Sequence, residues 1–138
     1  SMTTDVMVGF AGETEEDFNA SLKFVKSIGF AKVHIFPYSR RKGTVADKAP
    51  NQIDPQIKEQ RAKIMEQVCD ETRREFLKDQ VGLCESVLVE RLRHGYLEGY
   101  TKNYTTVHIN SEDTSLCGKI IDVKITKSFD DYCDAELV

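Results

Sequence analysis

The sequence predicts an α/β segment followed by an all-β one: a βαβ unit, a long connecting helix, and a small five-stranded antiparallel β-barrel. Three observations carry this. Apolar runs at residues 3–10 and 31–38 flank a stretch with helical spacing. A highly charged segment with an apolar stripe follows a loop. Beyond Gly82 the chain breaks into short alternating runs separated by turn residues.

The first run, TTDVMVGF, has the composition of a buried strand, and Gly9 to Gly12 make the turn after it. Thr14-Glu15-Glu16-Asp17 opens a helix, with the Thr14 hydroxyl as cap and the acids at the positive end of the helix dipole. Phe18, Leu22, Val25 and Ile28 give that helix its apolar stripe, a core-packing pattern, and Gly29 ends it. Ala31 to Tyr38 is the second strand, closed by Pro37. Strand, helix and strand of this length imply a parallel pair joined by a crossover. Two parallel strands do not make a stable sheet alone, so the unit calls for further strands or for a copy of itself.

Residues 39–53 form a loop marked by Gly43 and Pro50. Asp54 caps the next helix and Pro55 is its first residue. Ile57, Ile64, Met65, Val68, Phe76 and Leu77 supply its stripe to about Gln80, and Gly82 stops it. The expected strands of the barrel are Cys84–Val89, Gly95–Thr101, Thr105–Ile109, Lys119–Ile125 and Asp134–Val138, with turns at Arg93–Gly95 and Asp113–Gly118. The chain thus divides into residues 1–53, a connecting helix at 54–81, and a barrel at 82–138.

Composition excludes several classes. With 40% apolar and 30% charged residues the chain is globular, not disordered. No apolar run approaches the roughly 18–20 residues of a membrane span, so no membrane partner and a cytoplasmic setting are expected. Cys69, Cys84, Cys117 and Cys133 are too far apart for a metal knuckle, which predicts free thiols and no metal site. The net charge of −4 comes entirely from residues 81–138, which carry six Lys and Arg against ten Asp and Glu. That field works against nonspecific nucleic-acid binding.

Three blocks of sequence carry a family resemblance. TTDVMVGFAGETEEDF at 3–18 resembles the fifth strand and following helix of the radical-SAM barrel in tRNA methylthiotransferases, which read D-x-I-V-G-F-P-G-E-T-E-E-D-F. HIFPYSRRKGTVA at 34–46 resembles the sixth strand and its exit loop. GYLEGYTKNYTTVHI at 95–109 resembles the middle of a TRAM domain, the OB-like barrel that follows in this family. The blocks occur in family order and span nearly the whole chain. Ala11 departs from the pattern, standing where the family has Pro, while Gly9, Gly12 and Glu13 are kept. The wording FPYSRRKGT favours the MtaB type over its MiaB sister.

The resemblance implies the C-terminal portion of an enzyme that adds a 2-methylthio group to N6-threonylcarbamoyladenosine, or to N6-isopentenyladenosine, beside the tRNA anticodon. It implies S-adenosylmethionine and 4Fe–4S clusters as cofactors of the whole enzyme. The CxxxCxxC loop that holds the radical-SAM cluster has no counterpart here, so no catalytic residue is assigned and the piece alone is expected to be inactive. The partners implied are the tRNA anticodon stem–loop and the N-terminal portion of the same polypeptide. Exposed strand edges add possible self-association.

The resemblance also places candidate contacts. Asp5 falls at the mouth of the barrel, where ligands collect at strand ends. Gly9, Gly12 and Glu13 offer a turn with backbone N–H groups for the polar end of the cofactor, or a simple tight turn with a helix-start acid. Tyr38, Ser39 and Arg40 close the sixth strand on the same face, with Arg40 able to grip a carboxylate or phosphate, or to sit in a solvated basic loop. In the barrel, Tyr96, Tyr100 and Tyr104 with Arg91, Arg93, Lys102 and Asn103 suit base stacking and phosphate contact, or half-buried packing. His34 reads as a core histidine, and His94 and His108 receive no role. The competing reading is a self-contained RNA-binding or interaction module without catalysis.

Overall fold

The computed structural model describes all of residues 1–138. Two compact units divide within one helix, Ser1–Thr72 and Arg73–Val138.

In the first unit, β1 (Thr3–Val8) and β2 (Lys32–Pro37) pair in parallel, Asp5 opposite His34 and Met7 opposite Phe36. Between them runs α1 (Glu15–Ile28). Its start is a capping box: the Thr14 hydroxyl accepts from the Asp17 N–H at 3.1 Å, and the Asp17 carboxylate accepts from the Thr14 N–H at 3.0 Å. Gly29 ends it in the left-handed conformation. Val6, Val8, Val33 and Ile35 turn one face of the sheet into a core with Phe18 and Val25 of α1 and Met65 and Cys69 of α2 (Pro55–Asp79). Pleating sends Asp5, Met7, His34 and Phe36 to the other face, which is exposed. Asp5 is therefore a solvent-facing carboxylate, not one buried in the strand.

In the second unit, five strands close into a barrel in the order β3-β4-β5-β7-β6: β3 (Cys84–Arg93), β4 (Tyr96–Thr101), β5 (Thr106–Ile109), β6 (Ile120–Ser128) and β7 (Tyr132–Leu137). The expectation of an all-antiparallel barrel is corrected: β5 and β7 run parallel, and the other four pairings are antiparallel. An odd number of strands in a closed ring cannot alternate direction throughout. The β6–β7 hairpin returns the chain alongside β5 in the same sense, giving the mixed ring of an OB-like barrel.

The barrel core is Val87, Val89, Leu97, Val107, Ile109, Val123 and Ala135. Leu77 in the last turns of α2 packs with Ile125 and Cys133. The β3–β4 connection is a two-residue hairpin turn with positive φ at both His94 and Gly95, the geometry that matches strand twist. A bulge at Glu90 sets Arg91 opposite Glu98, on the outer face. Opposite Val89, Gly99 has no room for a side chain: a Cβ there would run into the Leu88 carbonyl oxygen.

No helix is long and apolar enough to cross a membrane.

Candidate functional site

The residues singled out from the sequence fall in two places. The first is the end of β1 and β2 in the first unit. There the Gly9 N–H donates to Glu13 Oε1 at 2.9 Å, and the same oxygen accepts from Arg61 Nη1 at 2.7 Å. Arg61 also donates to the Glu13 carbonyl at 3.0 Å and, through Nη2, to Glu15 at 2.9 Å. Burial works against the Arg61 charge, but the hydrogen bonds it donates to Glu15 and Glu13 outweigh it and raise its pKa. Gly12 donates to the Asn51 carbonyl at 2.9 Å. Gly9, Gly12 and Glu13 thus have their polar groups engaged within the protein.

Lys58 Nζ donates to the Tyr38 carbonyl at 3.0 Å and lies 5.1 Å over its ring, which meets Phe10 edge-on at 5.0 Å. The Tyr38 hydroxyl is buried with no hydrogen-bond partner. Arg40 is held by Asp47, Nε to Oδ1 at 2.9 Å and Nη2 to the carbonyl at 2.7 Å, so its fork is occupied. Tyr38 and Ser39 line a pocket of about 430 Å³ with Met7, Phe36, Pro37 and Arg41, on the sheet face that also carries Asp5.

The four thiols do not fit an iron–sulfur cluster. Cys69 lies in the core of the first unit, Cys133 in that of the second, Cys84 on β3 and Cys117 before β6. Nowhere do three His, Cys, Asp or Glu side chains gather as metal ligands.

The second place is the outer wall of the barrel, and it separates the aromatic residues into two groups. Tyr96 on β4 stacks on His108 of β5 at 4.8 Å, His108 meets Tyr132 of β7 at 4.1 Å, and Tyr132 stacks on Phe129 at 4.6 Å. Lys127 Nζ lies 4.7 Å over the Phe129 ring. Beside this ladder sits Glu98, its side chain only 8% exposed, gripped by Arg91 Nε at 2.9 Å and by Nη2, with Arg93 and His108 at 3.9 and 3.5 Å. The Arg91 hydrogen bond holds the Glu98 carboxyl below the usual carboxylate value. Arg91 and Arg93 thus carry a carboxylate of their own.

Tyr100, Lys102 and Tyr104 line a different groove, about 610 Å³, with Leu88 and Ile120. Asn103 is engaged in holding the β4–β5 loop: its Oδ1 accepts from both Thr101 Oγ1 and Thr105, and its Nδ2 donates to Gln80. Sequence reasoning missed His108, Phe129 and Tyr132 as ladder members and Leu88 and Ile120 as groove walls. The signal available was the alternation that places His108 on the outer face of β5. The pairing of β5 with β7 is long-range and leaves no local mark.

These features define a parallel βαβ unit followed by an OB-like barrel with an aromatic outer wall. No protein-family model matches the chain. Comparison with curated proteins gives 34% identity over 132 residues to a tRNA-2-methylthio-N(6)-dimethylallyladenosine synthase of Alcanivorax borkumensis, covering 94% of this chain and 30% of that protein. The threonylcarbamoyladenosine tRNA methylthiotransferase MtaB of Bacillus subtilis is 33% identical over 143 aligned positions, covering 100% and 32%. A tRNA-2-methylthio-N(6)-dimethylallyladenosine synthase of Pelotomaculum thermopropionicum is 37% identical over 129 residues, covering 91% and 29%. The chain is homologous to the C-terminal part of the MiaB/MtaB tRNA methylthiotransferases and spans about 30% of their length.

Proposed function

We propose that this chain is the tRNA-facing C-terminal portion of a methylthiotransferase that adds a 2-methylthio group to N6-threonylcarbamoyladenosine, or to N6-isopentenyladenosine, next to the anticodon. The observation that carries the reading is the similarity of nearly all of this chain to about 30% of two kinds of methylthiotransferase, joined to a βαβ unit whose second sheet face, with Asp5, Met7, His34 and Phe36, is left open. In this reading the free edges of β1 and β2 continue into a radical-SAM barrel supplied by the rest of the enzyme, and β1 and β2 are two of its strands. The same bare edges favour self-association when the chain is alone.

S-adenosylmethionine, when bound, supplies the radical precursor and the methyl group. The pocket at the end of β2 suits one edge of such a molecule, with Met7 and Phe36 as apolar walls and Ser39 as a hydrogen-bonding group. Asp5, Tyr38 and Ser39 are the side chains assigned to direct contact. Gly9, Gly12, Glu13 and Arg40 shape the turn and exit loop, because their polar groups already serve Arg61, Asn51 and Asp47. The cysteines do not fit a cluster, so the chain by itself is assigned no catalysis. The barrel is assigned to tRNA, with the anticodon stem–loop as target and the cytoplasm as setting.

Nucleoside mass spectrometry of tRNA from a strain lacking this locus tests the reading. Loss of the 2-methylthio group from N6-threonylcarbamoyladenosine is expected. Its loss from N6-isopentenyladenosine instead moves the assignment to the sister type, and no loss from either overturns the function.

A further inference from the structure

We propose that the groove lined by Leu88, Tyr100, Tyr104 and Ile120 receives an unpaired nucleobase of an RNA, stacked against Tyr104. This rests on the reading that the barrel meets RNA, and it names a place on the barrel distinct from the aromatic ladder.

The groove begins with strand register. Ile120 of β6 pairs with Leu88 of β3, and Leu88 pairs with Tyr100 of β4, so three outward side chains form one row across three strands. Outward positions on a small barrel are ordinarily polar, yet Leu88 is 45% exposed and Ile120 is 72% exposed. An apolar row of this kind with a polar rim marks an interaction surface.

Tyr104 completes it. The residue is 82% exposed, and its backbone has φ of 60°, a conformation rare for a bulky residue. The loop fixes that conformation. The Tyr104 N–H donates to the Thr101 carbonyl at 2.9 Å, and Asn103 ties Thr101 to Thr105 on either side. The ring is therefore displayed by a preorganised turn, where residues in sparsely populated backbone regions concentrate at binding sites.

The ladder is a poorer base platform. Its rings stack on one another, so their faces are largely spent. The clefts flanking it set Asp131, Asp134 and Glu136 against Arg93, whose charge is already shared with Glu98. The groove carries one acid, Glu90, balanced by one base, Lys102, at a rim suited to a backbone phosphate. Its volume of about 610 Å³ exceeds what a single base fills. A base held in a duplex cannot offer its face, so the ligand is an unpaired nucleotide.

The test titrates the full chain, at low salt, into an anticodon stem–loop RNA carrying 2-aminopurine in its loop. Binding is expected to quench the fluorophore. Tyr104→Ala is expected to weaken binding about tenfold, the effect of losing one base–aromatic stack. Tyr104→Gly, which relieves the backbone strain and so secures folding, is expected to behave alike, and Tyr104→Phe is expected to bind as the parent does. RNA binding that is unchanged in both Ala and Gly variants overturns the groove and leaves the barrel's RNA role standing. No RNA binding by the parent chain overturns both. A dimer that Tyr104→Ala dissolves in light scattering, with RNA affinity unchanged, overturns the groove in favour of a second copy of the chain.

Discussion

Arg61 of α2 grips Glu13 twice, carboxylate at 2.7 Å and main-chain carbonyl at 3.0 Å, across 48 positions of sequence. The turn after β1 is thereby fastened to a helix that the sequence shows only as a charged connector. The pair is nearly enclosed, with side chains 7% and 13% exposed, so removing one partner leaves a charge without compensation. Arg61→Ala is expected to destabilise the first unit by about 3–5 kcal/mol. Urea unfolding, with hydrogen exchange read over residues 1–31, checks it; a loss confined to the barrel would sink the idea.

Gly99 is the second fixed point. With the Leu88 carbonyl and a Val87 methyl in the space of a Cβ, Gly99→Ala must push β3 and β4 apart next to the bulge at Glu90. A cost of about 1–3 kcal/mol is expected, as for overpacked cores. The thermal midpoint of the full chain is the measurement, and an unchanged midpoint would show that the two strands separate freely there.

The thiols should differ sharply. Burial pushes Cys69 and Cys133 up to about 11, so at pH 8 they are almost entirely protonated as well as shielded. Cys84 is exposed on β3. Titration with a thiol-reactive disulfide at pH 8 is expected to modify Cys84 rapidly and to reach Cys69 and Cys133 only on unfolding. Equal rates for Cys84 and Cys133 would mean that the barrel core is open.

Much of this was legible in the sequence because the signals are local. Thr14 and Gly29 bracket α1, Asp54 caps α2, and His94-Gly95 makes the hairpin turn, each through chemistry within a few residues. Strand ends were less legible. The first and fourth barrel strands were expected to stop at Val89 and Ile125, whereas they continue to Arg93 and Ser128. Alternation breaks at those points because bulges at Glu90 and Thr126 insert one residue each. In the candidate sites, Arg40, Glu13 and Arg91 advertise ligand chemistry by residue type. Their partners Asp47, Arg61 and Glu98 are set by tertiary approach or a bulge, and those partners decide which charges are already used.

Glu98 gives the pH dependence its sign. Its folded pKa lies below the ordinary carboxylate value, chiefly through the Arg91 hydrogen bond, partly offset by burial. A depressed carboxylate contributes stability that is complete above the unfolded value, about 4.3, and is lost as pH falls through the folded one. Glu98→Gln keeps the shape but removes the charge, so the barrel should be less stable at pH 7. Its stability should also change less between pH 5 and pH 3, in the region of these carboxylate values (about 4.3). Urea midpoints across that range, parent against variant, measure the difference. Parallel curves would mean that Arg91 does not hold Glu98 in solution, and the carboxylate beside the aromatic ladder would then be open to a ligand.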